Sequence, residues 1–160
     1  MGKIFNIDEL IKFRQKVRSE GKKVVFTNGC FDILHRGHIE LLKKAKEFGD
    51  ILIIGLNSDF SVKKIKGGER PILNEDDRAY ILGALECVDA VCLFDEETPG
   101  RIIELLKPDV LVKGGDYKID EIVGKETVQN CGGEVITIPF VEGKSTRGII
   151  EKIIKSYSKQ

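Results

Sequence analysis

The chain has 160 residues, of which 41% are apolar and 32% are charged, a length and a balance that predict one compact domain and exclude a disordered chain. Lysine and arginine together number 26, as do aspartate and glutamate, so overall charge does not recruit nucleic acid and we expect no nucleic-acid partner. The sequence has no apolar run of membrane-spanning length and its start lacks the apolar core of a secretory signal. We therefore expect no membrane partner and a cytoplasmic location.

Residues 1–21 predict an N-terminal helical extension before a core that spans residues 22–155, and we expect residues 1–160 to form a single domain. Five apolar or β-branched runs in the core each have the length of a buried strand. They are residues 22–28, 50–57, 88–94, 109–114 and 134–139. Apolar residues at helical spacing fill the intervals between them. Strands that alternate with helices predict an α/β fold with a Rossmann-like, parallel five-stranded sheet and helices on both faces.

A glycine-containing turn follows the first of these strands and leads into a helix that begins near His35 and His38. Such a helix start offers free backbone N–H groups and a positive dipole end, which bind phosphate. Because the histidines are three positions apart, both imidazoles reach one phosphate, and Gly37 between them lets a bulky group approach. We predict that both histidines stabilise charge on phosphate oxygens during an in-line displacement. A chance pair or a pair of metal ligands is the alternative interpretation.

A second candidate phosphate site lies between the last strand and the final helix, at residues 142–148. Gly143-Lys144-Ser145 imitates the end of a P-loop, but the glycine that this motif needs stands as Ile138 here, so we reject that interpretation. Free N–H groups, two hydroxyls and Arg147 suit the β- or γ-phosphate of a nucleotide. A helix cap by Ser145 is the alternative role, and the two roles are compatible.

Both segments resemble signatures of a known superfamily. Residues 27–38 resemble the HxGH signature of the nucleotidyltransferases, and residues 145–146 resemble the Ser-Thr pair of their small members. The resemblance implies that both histidines are catalytic and that Cys30 and Phe31 offer backbone contacts to a triphosphate. The residues that we expect to bind the nucleotide are Asn28, Gly29, Cys30, Phe31, Gly37, Gly114, Glu142, Gly143, Ser145, Thr146 and Arg147.

Two further segments, residues 66–72 and 112–117, extend the resemblance, so that residues 22–154 are similar to the heptose 1-phosphate adenylyltransferase family. The resemblance implies transfer of AMP from ATP to the sugar phosphate D-glycero-β-D-manno-heptose 1-phosphate, giving pyrophosphate and ADP-heptose for lipopolysaccharide. We expect Mg²⁺ to be carried with ATP, and we predict no metal ligand in the protein. Many relatives carry a fused sugar kinase, which we expect to be a separate protein here. The sequence leaves a monomer and a homodimer open.

The nearest alternative is a glycerol-3-phosphate cytidylyltransferase, which shares both signatures. That family has Arg-Thr before Glu-Gly, whereas this chain has Phe140-Val141 before Glu142-Gly143, a difference that favours the adenylyl assignment. Two alternatives come from other classes of protein. One is a nucleotide-binding regulatory module without turnover, and the other is a structural zinc protein that uses Cys30 with the two histidines.

Lys113 ends a predicted strand, where a parallel strand meets the ligand crevice, so we predict it as a third catalytic residue; a surface ion pair is the alternative. Lys66 and Arg70 are predicted either to close over the sugar phosphate or to belong to a solvated loop. Asp32 is expected to orient a histidine, to bind the sugar or to cap the turn. The full set of predicted substrate contacts is Asp32, Asn57, Asp59, Lys66, Arg70 and Asp116.

Overall fold

The computed structural model describes residues 2–115 and 117–158, so the predicted substrate residue Asp116 lies outside the described residues. Six strands of this part of the chain are β1 (Lys3–Phe5), β2 (Val24–Gly29), β3 (Ile51–Asn57), β4 (Ala90–Phe94), β5 (Val110–Gly114) and β6 (Glu134–Ile138). Its α-helices are α1 (Ile7–Ser19), α2 (Arg36–Lys46), α3 (Asp59–Lys66), α4 (Glu75–Gly83), α5 (Gly100–Leu106), α6 (Lys125–Asn130) and α7 (Thr146–Tyr157). None of these helices is long and apolar enough to cross a membrane.

The strands form one parallel sheet in the order β1-β4-β3-β2-β5-β6, which confirms the α/β, Rossmann-like prediction. The predicted count of five strands is wrong. All five predicted runs form strands, and the additional strand β1 lies in the segment predicted as a helical extension only. Lys3 pairs with Ala90 of β4, and the Gly2 N–H donates to the Gly83 carbonyl at 2.6 Å. Three residues are too few to show a strand period, so pairing with β4 decides this strand.

Helices cover both faces of the sheet, as shown by neighbouring side chains of β2, which pack against helices on opposite faces. Val24 and Phe26 pack in a cluster with residues of α1, α5 and α6, whereas Val25 packs in a cluster with residues of α2 and α4. All three side chains are fully buried. A strand that is covered on both faces needs an apolar side chain at every position, which explains why the predicted runs are continuous rather than alternating.

The order of the strands reverses next to β2. From β2 the chain adds β3 and β4 toward one edge, and it then crosses back to place β5 on the other side of β2. Open α/β sheets bind ligands at such a reversal, outside the carboxyl ends of the strands. β2 ends at Gly29 and β5 ends at Gly114, so the residues that follow these two ends face a common crevice.

Candidate active site

A cavity of about 770 Å³ opens at the carboxyl ends of β2 and β5. This volume is typical of small-molecule and cofactor sites, which span roughly 300–1,000 Å³. The predicted site residues that line it are Asn28, Gly29, Cys30, Phe31, Asp32, His38, Asn57, Lys66, Arg70, Lys113, Gly114, Thr146 and Arg147. Among the described residues, those predicted for the site that do not line it are His35, Gly37, Asp59, Glu142, Gly143 and Ser145. The fold therefore gathers segments that are far apart in the chain at one crevice.

The two histidines lie at the start of α2 with their rings stacked, 3.9 Å between centroids. His35 is the N-cap residue, and its Nδ1 accepts the Gly37 N–H at 3.1 Å. Nδ1 of His38 in turn accepts the His35 N–H at 3.4 Å. Because a backbone N–H occupies each Nδ1, the neutral rings carry their proton on Nε2. The pair thus supplies N–H donors rather than metal-binding lone pairs, and His38 lines the cavity.

Gly37 leaves room for this arrangement. A methyl group built on Gly37 would lie 3.0 Å from the His35 ring and 3.3 Å from Cβ of Lys144. Any side chain there would displace the imidazole that caps the helix. Lys144, which belongs to the segment that imitates a P-loop, therefore lies close to His35. Burial, together with the Lys144 ammonium, lowers the pKa of His35.

His38 is neutral at physiological pH. Burial lowers its pKa to about 4, and the neighbouring His35 acts in the same direction, while Asp32 opposes both. A neutral imidazole donates a hydrogen bond from Nε2 without bringing a full positive charge into the cavity. An incoming phosphate would act against this depression because it stabilises the protonated ring.

We expect the His38 imidazole of the ligand-free protein to titrate near pH 4, measured from its Cε1 proton shift by NMR. The folded-state pKa lies below the ordinary value of 6.5, so the folded chain binds fewer protons than the unfolded chain between these two values. The free energy of unfolding should therefore fall as the pH drops from about 6.5 toward 4, and His38→Asn should remove much of that slope in urea titrations. A midpoint near 6.5 would contradict the buried, neutral ring.

Strained backbone precedes the histidines. Phe31 and Ile33 have positive φ angles of 46° and 50°, which cost roughly 1–2 kcal/mol per residue for side chains with a Cβ. The turn buries the Phe31 ring, edge-on to the His38 ring at 5.4 Å between centroids. A methyl group on Gly29 would lie 3.0 Å from that ring. Gly29 and the strained turn thus hold the Phe31 ring against the His38 ring.

Asp32 connects three segments around the cavity. Its buried carboxylate accepts hydrogen bonds from the Arg70 Nε at 2.7 Å, the Ile72 N–H at 2.8 Å and the Leu73 N–H at 3.0 Å. Burial would raise the pKa of this carboxyl, but these donors outweigh it and lower the pKa. Its carbonyl accepts the Thr146 hydroxyl at 2.6 Å. These contacts support a positioning role for Asp32, and its contact with substrate stays a prediction.

The remaining predicted substrate residues differ in their surroundings. The Asn57 amide donates to the Ser61 hydroxyl at 2.9 Å, and Asp59 forms an ion pair with Arg78 at 2.7 Å. Asp59 lies in the first turn of α3, whose N-cap is Ser58, and it does not line the cavity. Lys66 is exposed and lines the cavity, which leaves its ammonium accessible to a phosphate.

Lys113 lines the crevice near the carboxyl end of β5. It is half-buried, and its Nζ is 3.5 Å from the Asn28 amide oxygen and 5.5 Å from the centroid of the Tyr117 ring. Burial lowers the pKa of Lys113. An anionic ligand in the cavity would meet this half-buried lysine with less competition from water than a fully exposed lysine has, which would strengthen the interaction.

The second signature forms the start of α7. The Ser145 hydroxyl accepts the Gly148 N–H at 3.0 Å, so Ser145 is the helix cap that the sequence offered as an alternative. Thr146 and Arg147 both line the cavity, and the Arg147 guanidinium also pairs with the Glu151 carboxylate at 2.9 Å. The Thr146 hydroxyl bond to Asp32 brings this helix start beside the turn that precedes α2. Two helix starts therefore meet at the same crevice.

Sequence reasoning missed Arg78, a fully buried arginine of α4. Its guanidinium donates to the carbonyls of Cys30 at 2.7 Å, Asn57 at 2.8 Å and Leu73 at 3.0 Å. The fourth partner is the Asp59 carboxylate. Arg78 thus ties the loop after β2 to the end of β3 and to the segment before α4. Its place on the apolar helix face beside Ala79 and Leu82 was the available signal.

Comparison with known proteins agrees with this geometry. Residues 26–152 match the cytidylyltransferase-like family model. The bifunctional protein HldE of Geobacter metallireducens is 53% identical over 158 residues, and that of Citrifermentans bemidjiense is 57% identical over 155 residues. The matches cover 99% and 97% of this chain but 32% of each relative, so the chain spans about a third of their length.

Solved structures of two other proteins are similar to this chain. The lipopolysaccharide core biosynthesis protein of Thermoplasma volcanium is 31% identical with a TM-score of 0.63, over 78% of this chain and 100% of that protein. The pantoate-beta-alanine ligase of Francisella tularensis is 16% identical with a TM-score of 0.61, over 100% of this chain and 80% of the ligase, a likeness of fold alone. Because the family model covers most of the chain, including both signatures, the chain belongs to the cytidylyltransferase-like family.

Proposed function

We propose that the chain is a nucleotidyltransferase that transfers AMP from ATP to D-glycero-β-D-manno-heptose 1-phosphate. The observation that carries this proposal is the stacked imidazole pair at the start of α2, in which a backbone N–H occupies each Nδ1. This leaves Nε2–H groups as donors beside a cavity of nucleotide size. Donors fixed before the substrate binds stabilise charge that develops on phosphate oxygens.

In the proposed reaction, an oxygen of the sugar phosphate attacks the α-phosphorus of ATP in line. A P–O bond forms between them while the bond from the α-phosphorus to the bridging oxygen of the β-phosphate breaks, and pyrophosphate leaves with the bonding electrons. The attacking oxygen is already deprotonated at neutral pH, so no side chain has to remove a proton. The protein instead orients the two phosphates and stabilises their charge.

The surroundings of the cavity suit two anionic substrates. We propose that the triphosphate binds at the starts of α2 and α7, where the positive ends of two helix dipoles meet the cavity. We propose that Lys113 stabilises charge at the reacting α-phosphate and that Lys66 and Arg147 take outer phosphate oxygens at the mouth. Lysine suits this task as a compact point charge.

Mg²⁺ is proposed to enter with ATP. Within residues 2–115 and 117–158, no three His, Cys, Asp or Glu side chains are grouped so that they could hold a metal ion. A cation that enters with ATP would be held mainly by the substrate phosphates, and its charge would offset that of the leaving pyrophosphate. Because Cys30 and the two histidines do not form such a group, the structure argues against a structural zinc site at these residues.

The identity of the acceptor rests on the resemblance over residues 22–154 and on the similarity to the Thermoplasma volcanium protein, which is named for lipopolysaccharide core biosynthesis. We propose on this basis that the product is ADP-heptose for the lipopolysaccharide core. A separate sugar kinase that supplies the sugar phosphate and a cytoplasmic location stay predictions.

We expect pyrophosphate release only when ATP, heptose 1-phosphate and Mg²⁺ are all present. CTP should give lower turnover than ATP, because Phe140-Val141 replaces the Arg-Thr pair of the cytidylyl family. Excess chelator should abolish turnover, since the triphosphate would lose its cation. The measurement is a coupled pyrophosphate assay in which nucleotide, sugar phosphate and Mg²⁺ are varied separately.

Glycerol 3-phosphate with CTP is the matched control for that assay. Turnover with this pair that equals or exceeds turnover with ATP and heptose 1-phosphate would replace the adenylyl assignment by the cytidylyl one. Tight ATP binding without pyrophosphate release from any sugar phosphate would indicate a regulatory nucleotide-binding module. Full activity in excess chelator would contradict the metal proposal alone.

A further inference from the structure

Two aromatic side chains stand exposed at the rim of the cavity. Phe140 and Tyr117 are 69% and 48% exposed, and both line the cavity beside the carboxyl end of β5. Aromatic rings carry a large apolar surface. A ligand that covered these two rings at the mouth of the cavity would remove that surface from water.

The backbone between these rings is formed by glycine. A methyl group built on Gly115 would lie 2.8 Å from the Phe140 ring and 3.2 Å from the Tyr117 ring. The φ angle of Gly115 is +116°, a conformation that disfavours side chains. A methyl group on Gly114 would likewise lie 3.4 Å from the Phe140 ring. The Phe140 ring thus rests against bare backbone on one side, while much of its surface remains open to solvent.

The position of Phe140 relates this ring to the phosphate-binding elements. It lies in the loop between β6 and α7, and this loop leads directly to Thr146, the first residue of α7, which lines the cavity and bonds to Asp32. A nucleoside triphosphate whose phosphates lie at the starts of α2 and α7 must direct its base elsewhere within the cavity. The open aromatic face at the rim offers that base a flat, apolar surface.

We propose that the Phe140 ring is the platform on which the nucleobase of the nucleotide stacks, with Tyr117 beside it. The inference rests on the proposed function and specifies its base subsite. Stacking tolerates every base but grows with ring overlap, so a two-ring purine is favoured over a one-ring pyrimidine. The platform therefore gives a physical reason for preference of ATP over CTP, independent of any hydrogen bond to the base.

The sequence offers a direct probe because it contains no tryptophan. Phe140→Trp installs a single indole at the platform, and a stacked base should quench its fluorescence. We expect saturable quenching by Mg²⁺-ATP, weaker quenching by Mg²⁺-CTP, and none by Mg²⁺-tripolyphosphate, which has no base. The matched control is Phe60→Trp, because Phe60 is 58% exposed on α3 and does not line the cavity. Its fluorescence should not respond to ATP.

Calorimetry of Phe140→Ala and Phe140→Leu separates stacking from simple apolar contact. Both variants should bind ATP more weakly by a factor on the order of 10, as expected for loss of one base–aromatic stack, while tripolyphosphate affinity stays unchanged. Wild-type ATP affinity in Phe140→Leu, or ATP binding to Phe140→Trp without quenching, would overturn the platform and leave the proposed function intact. Failure of the wild-type chain to bind ATP would overturn both.

Discussion

Replacement of His38 by alanine is expected to lower the turnover number by a factor on the order of 100 or more, and His35→Ala is expected to act comparably. Both rings carry their proton on Nε2 because backbone N–H groups occupy Nδ1. In the proposed reaction, the lost donor would act on charge that develops in the transition state. Turnover should therefore fall while KM for ATP changes little. Steady-state pyrophosphate release measures this, and circular dichroism verifies the fold.

Two amide variants distinguish the two ring nitrogens of His38. His38→Asn keeps an acceptor near the Nδ1 position for the His35 N–H but removes the Nε2 donor, so it should be as slow as alanine. His38→Gln places an amide N–H near the Nε2 position and should recover part of the turnover. Arg36→Ala is the matched control, since Arg36 is exposed in the same turn and pairs with Glu40 at 3.2 Å. Wild-type turnover in both alanine variants would refute the catalytic assignment.

Replacement of Arg78 by methionine should lower the free energy of unfolding by about 3 kcal/mol, the lower end of the range for removal of one partner of a buried ion pair, because Asp59 is partly exposed. The variant leaves the carbonyls of Cys30 and Asn57 without their donor and leaves Asp59 without its cation. Methionine fills a similar volume, so the loss reports hydrogen bonds rather than a cavity. Urea unfolding measured by circular dichroism provides the value.

Arg101→Met is the control for Arg78, because Arg101 is 70% exposed and its ion pair with Glu96 lies at the surface. It should change stability by no more than about 0.5 kcal/mol. Arg78→Lys keeps a charge for Asp59 but lacks the planar fork that serves several carbonyls at once, so its loss should be intermediate. Equal stability of Arg78→Met and Arg101→Met would contradict the structural role of Arg78.

The sequence by itself determined the elements that local pattern encodes. The strands at 24–29 and 51–57 were visible because they are covered on both faces and so need apolar residues throughout. The helix start at His35 and the cap at Ser145 were visible because capping depends on residues within one turn. Parallel topology then predicts that both helix starts meet at the strand ends, which is where the cavity lies.

Only the tertiary structure decided features that depend on partners far along the chain. Strand β1 forms because its backbone pairs with the edge of β4. The Asp32 carboxylate is hydrogen-bonded because Arg70 and the backbone that follows it fold onto this side chain. Arg78 is charged yet buried because the distant carbonyls of Cys30 and Asn57 converge on it together with the nearby Leu73 carbonyl, a condition that no local period records. The contact of Phe140 with Gly115 likewise arises only when β5 and β6 lie side by side. Local sequence pattern specifies the elements that are buried along their length, whereas packing decides the short edge strand β1 and which distant residues meet.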